Sequence, residues 1–140
     1  MKALRRVLTL LIVVGCVTTK ASLMDTSLHP QAICKEGVKL YTDASKIGVP
    51  YTEIAVLHST GTRMYTNEES MIGNQRKKAA ELGANGLVLG ANKDPSTGAV
   101  IASSLGFGSA NRKGDALAVL VPSDSARVSA ICSAKADSTK

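Results

Sequence analysis

The stretch TNEESMIGNQRKKAAELGANGLVLGA, residues 66–91, constrains the fold more than any other part of the chain. Thr66 with Glu69 three positions on has the pattern of a capping box, in which a hydroxyl and a carboxylate satisfy the first free amides of a helix. Glu68 and Glu69 also suit the positive end of the helix dipole. Ile72, Gln75, Ala79 and Leu82 then recur at helical spacing with Met71 beside them, while Arg76, Lys77 and Lys78 fall toward the other side. Gly83 supplies a left-handed stop. The spacing therefore predicts a helix over 66–82, with Ala79 and Ala80 small enough to let it approach a sheet closely. Residues 86–91, GLVLGA, read as a short and wholly apolar strand. Upstream, 51–61 reads as another: Ile54 and Val56 share one face and Ala55 and Leu57 the other, as expected of a covered strand. Strand, helix, strand in that order implies a right-handed crossover between parallel strands.

Three further strands are expected at 37–42, 99–107 and 115–122. The last two would form a β-hairpin across the glycine-rich run 106–114, GFGSANRKG. Residues 43–50 and 92–98 read as a loop and a turn, on Pro50 and on Asp94-Pro95. The expected class is α+β, one main helix packed on a mixed sheet of about five strands.

The N-terminus has a different grammar. Lys2, Arg5 and Arg6 precede an apolar run from Val7 to Val14 interrupted only by Thr9, the basic-then-apolar layout of a secretory signal. The run is far short of the roughly 20 residues a spanning helix needs. It ends in Val13-Val14-Gly15-Cys16, which resembles the lipobox of bacterial lipoproteins. The resemblance implies cleavage between Gly15 and Cys16 and a diacylglyceryl group on the Cys16 thiol. Acyl chains, at about 0.8 kcal/mol per buried methylene, would hold the protein on a membrane. Val17 follows the cysteine, where an Asp would mark inner-membrane retention in enterobacteria. An outer-membrane address is expected if the source has two membranes.

Residues 1–15 are thus expected to be a signal peptide, 16–33 a lipidated cysteine and flexible tether, 34–132 a single α+β domain and 133–140 a frayed tail. A tether of about 17 flexible residues would reach roughly 20–25 Å. Charge narrows the partners. The chain carries 17 Lys and Arg against 11 Asp and Glu, but Lys2, Arg5 and Arg6 belong to the signal, which leaves a surplus of three. That is no clustered basic stripe, so no nucleic-acid partner is expected; a weak attraction to anionic lipid headgroups fits.

With Cys16 lipidated, Cys34 and Cys132 remain, an even number in an exported chain and bracketing the domain. A disulfide between them is expected, two free thiols being the alternative. A zinc site is disfavoured because neither cysteine has a local Cys or His companion. The domain has no Trp and one Phe, Phe107, so a covalent staple would help a core poor in large side chains.

Other candidate positions read as structural. His58 adjoins Ser59, but neighbours on a strand face opposite ways, so no nucleophile–base pair is expected. His29 lies in the tether. Glu53 and Asp43 are isolated carboxylates. The 106–114 run, with Arg112 and Lys113, suggests a phosphate cradle, yet it lacks the Gly-Lys-Ser/Thr of a phosphate loop and leads into a strand. No cofactor, metal or catalytic residue is expected.

The run RKKAAELGANGLVLGA resembles the YbjQ-like superfamily, which includes RcsF-like sensor lipoproteins of the outer membrane; the similarity covers about 34–121. It implies a helix packed on a sheet and, in the sensors, disulfide stapling and signalling through protein contacts. The sensors have four disulfide-forming cysteines and a long proline-rich linker; this chain has two candidate cysteines in its domain and one proline, Pro30, in its linker. The function these features imply is a non-enzymatic, lipid-anchored envelope protein, with envelope-stress sensing or maintenance as its setting and an envelope protein as partner. The alternative is a module that binds a small anionic ligand at 106–114.

Overall fold

A computed structural model describes residues 17–28, 30–62, 66–93, 101–102, 104–105 and 110–138. Residues 1–15, expected to be a signal peptide, Cys16, His29, residues 94–100 and 106–109 of the glycine-rich run lie outside the described residues.

The described residues build a five-stranded mixed sheet with two long α-helices. In chain order these are β1 (Thr18–Leu23), β2 (Lys39–Tyr41), β3 (Thr52–Thr62), α1 (Glu68–Glu81), β4 (Gly86–Lys93), β5 (Asn111–Leu120) and α2 (Ser125–Ser138). Short 3-10 turns occupy Lys35–Gly37, Ala44–Lys46 and Pro122–Asp124. The sheet order is β1-β3-β5-β4-β2. Central β5 is antiparallel to β3 and β4, β1 is antiparallel to β3, and β2 is parallel to β4. The α+β class and the helix-on-sheet arrangement hold. β3 and β4 run in the same direction, as the crossover requires, but β5 is inserted between them.

α1 forms much where its sequence places it. Its N-cap, however, is Asn67, whose side-chain oxygen accepts the Ser70 amide at 2.7 Å, and not Thr66. Thr66 is instead buried against Gly61, where an added Cβ would lie 2.5 Å from the threonine methyl. The C-terminus follows the sequence. Gly83 has φ +76°, its amide reaches the Ala80 carbonyl at 3.0 Å, and the Ala84 amide reaches that of Ala79 at 3.0 Å. This is the paired closure that a left-handed residue permits. The buried side of α1 is Met71, Gln75, Ala79 and Ala80; Ile72 is only half-buried.

Small side chains let α1 settle on the sheet. Cross-strand rows on that face read Leu89, Ala116, Leu57, Ala21 and Leu87, Ala118, Ala55, Leu23. Leu57, Leu87, Ala55, Ala118 and Ala79 are fully buried. Gln75, also buried, donates to the Gly114 carbonyl at 3.0 Å, so its amide is satisfied inside the core. On the sheet's other face a smaller cluster of Tyr41, Ile47, Val119 and Val121 gathers Tyr51, Val88 and Leu117 around it.

Three expectations are corrected. The segment read as a tether contains β1, whose residues 18–23 pair in register with 55–60 of β3, and the Met24 amide extends the pairing to the Ile54 carbonyl at 2.8 Å. An edge strand buries only one side, here Thr19 and Ala21, so its polar composition disguised it. The strand expected at 99–107 does not form at its described positions: residues 101, 102 and 104 are helical, and the Leu105 amide bonds to the Ile101 carbonyl. A short apolar run fits either period. β5 starts at Asn111, four residues before the expected strand, and pairs with β3 and β4 in place of that hairpin partner. Lastly, the expected frayed tail 133–140 continues α2 as far as Ser138, and Cys132 sits mid-helix, not just past the last strand.

Candidate functional site

Cys34 and Cys132 are joined by a disulfide with a Cα–Cα separation of 5.5 Å across 98 positions of sequence. It links the residue before the first 3-10 turn to the middle of α2. Around it, Val128 is the one buried side chain of α2, and a Cβ at Gly37 would meet it at 3.1 Å. Arg127 bonds Asp124 at 2.6 and 2.9 Å and donates to the Gly37 carbonyl at 3.1 Å. Its hydrogen bonds hold the Asp124 carboxyl below the usual range. Lys135 pairs with Glu36, and that bond lowers the Glu36 pKa.

The face of the sheet opposite α1 carries the polar chemistry. Cross-strand rows here run Thr18, Thr60, Lys113 and then Lys20, His58, Asp115. His58 Nδ1 lies 2.8 Å from Asp115 Oδ1, with side chains 53% and 58% exposed, so water reaches both partners. Ser59 points the other way, buried, its hydroxyl 2.8 Å from that of Thr19. His58 and Ser59 are therefore not brought together. Lys20 and Lys113 are exposed on the same face as His58.

The glycine-rich run is divided. Residues 111–114 are the first residues of β5 and not a loop, which corrects that part of the hairpin, and 106–109 lie outside the described residues. Arg112 turns toward α1 and donates to the Thr66 carbonyl at 3.3 Å. Glu53 is exposed beside a bulge in β3. Asp43 caps the second 3-10 turn: the Ser45 amide at 2.7 Å is the main cause of its lowered pKa.

A groove of about 490 Å³, absent from the sequence reading, opens between α1 and the segment leading into β2. Lys35, Leu40, Glu69, Ile72, Arg76 and Lys77 line it. Arg76 is committed to the fold, donating to the carbonyls of Val38 at 2.8 Å and Glu36 at 3.2 Å. No local pattern in the sequence places Lys35 across from Arg76 and Lys77; only tertiary packing brings them together. Among the described residues, no three His, Cys, Asp or Glu side chains gather where they could hold a metal ion, and no helix is long and apolar enough to cross a membrane.

No family model matches this chain, and neither the curated proteins nor the solved structures give a match.

Proposed function

We propose that this chain is a non-enzymatic bacterial lipoprotein, held on the envelope by acyl chains on Cys16 and acting through contacts with another envelope protein in stress sensing or maintenance. The observation that carries this reading is Val13-Val14-Gly15-Cys16 at the end of an apolar run led by Lys2, Arg5 and Arg6. The Cys34–Cys132 bridge supports it, because such bonds persist in oxidising compartments and are rare in the cytosol. The YbjQ- and RcsF-like resemblance of 34–121 supports the sensing role, and Val17 supports an outer-membrane address. The test is cell fractionation of Cys16→Ser. The variant is expected to lose its acyl chains and to retain its signal, read by mass analysis of the membrane and soluble fractions. Cleavage of the variant at the same position as the parent chain, with membrane association unchanged, would overturn the anchor.

A second reading, a module for a small anionic ligand, is favoured by one observation: Lys35 and Lys77 outnumber the one carboxylate, Glu69, on the walls of the groove, beside apolar Leu40 and Ile72. Titration with inorganic phosphate, followed by amide chemical shifts, separates the two. Shifts confined to the groove would favour the ligand module.

A further inference from the structure

β1 begins two residues after Cys16. Consecutive Cα atoms are 3.8 Å apart, so the Cα of Cys16 lies within about 8 Å of that of Thr18. Given the lipid anchor proposed above, on which this inference rests, no long tether separates the sheet from the bilayer. The end of the sheet that carries Thr18 is held at headgroup level.

Two faces of that end differ in charge. On the face opposite α1, Lys20 and Lys113 are exposed, against one carboxylate among the described residues of those two rows, Asp115, which lies at hydrogen-bond distance from His58. On the other face, α1 starts with the carboxylates Glu68 and Glu69, and Arg112 is a cation on that side at the same end. An anionic surface therefore favours the first face over the second. Thr18 and Thr60, neighbours in the row of Lys113, add hydroxyls that can bond to phosphate oxygens.

We propose that the sheet face opposite α1, at the end bearing Thr18, Lys20, Thr60 and Lys113, docks on the anionic headgroups of the membrane that holds Cys16. The domain then lies on the bilayer with α1 and its groove turned away from it.

The test uses the full lipidated chain reconstituted in vesicles of phosphatidylethanolamine and phosphatidylglycerol with a headgroup nitroxide quencher. With Cys16 acylated and Cys34 bridged to Cys132, an introduced cysteine is the one thiol left to label. A fluorophore at Thr60→Cys is expected to be quenched more than one at Ser70→Cys, which sits at the same end of the domain but on α1. Each lysine near an anionic surface should favour the docked population by about fivefold. The Lys20→Glu, Lys113→Glu double variant, or vesicles of phosphatidylcholine alone, should therefore shrink the difference. Thermal unfolding of the double variant checks that its fold is kept. Equal quenching at the two positions, or stronger quenching at Ser70, would overturn the docked face while leaving the anchor standing. A chain that fails to float with the vesicles would sink the anchor, and the docked face with it.

Discussion

α1 and α2 are both 14 residues long, yet the molecule holds them by different means. α1 lies on a sheet face of Ala, Leu and Gly, with four of its own side chains buried and its two ends closed by Asn67 and Gly83. α2 buries Val128 alone and is otherwise secured by the disulfide, Arg127 and Lys135. An isolated helix of that length is marginal in water. Apolar packing therefore holds α1, whereas a covalent bond and polar ties hold α2. A domain with a thin core keeps this second kind of element only where thiols stay oxidised.

The strongest way to break this contrast is to reduce the bridge. Closing a loop of about 100 residues is worth roughly 4–5 kcal/mol in the chain-entropy model. Reduction should lower the thermal midpoint and should deprotect the amides of α2 well before those of β3 and β5 in hydrogen exchange. Persistent α2 protection after complete reduction would mean that packing holds both helices. Next in size is Leu57→Ala, which opens a cavity under α1. It should cost about 2–5 kcal/mol, read by denaturant melts, and should weaken the sheet and α1 together.

A smaller effect is expected from Asn67→Ala, which removes the α1 cap and should cost about 1 kcal/mol. Thr66→Ala should not act as a cap loss; its effect would come from packing on Gly61. The smallest effect is on α2 alone and depends on pH. The Asp124 and Glu36 pKa values are lowered in the folded state by Arg127 and Lys135. Their contribution is thus present above the unfolded values, 3.8 and 4.5, and is lost as pH falls through the lower folded ones. Exchange of α2 amides relative to β5 amides should rise on acidification across that window. No change in the ratio would remove these pairs from the account.

The same contrast explains what the sequence could show. α1 was legible because its signals are local: apolar spacing, acidic residues in the first turn and Gly83. The misplaced cap, Thr66 for Asn67, is a one-residue error between two competent side chains. The insertion of β5 between β3 and β4 was not legible, since strand order is set by pairings far apart in sequence. β1 was hidden by its edge position. α2 was hidden because so little of it is buried, although Val128, Ile131 and Cys132 at helical spacing in a run free of Gly and Pro were its signal. The cysteine pairing was legible by elimination. Lys20 and Lys113 come onto one face only through the registers of β1 with β3 and β3 with β5, which no local pattern encodes.

The claim on which the rest depends is the anchor, and intact mass analysis of the protein purified from membranes tests it most directly. The account predicts a chain beginning at Cys16, with its thiol carrying diacylglycerol and Cys34 and Cys132 linked. A mature chain that retains residues 1–15, or begins at Cys16 with a free thiol, would contradict it.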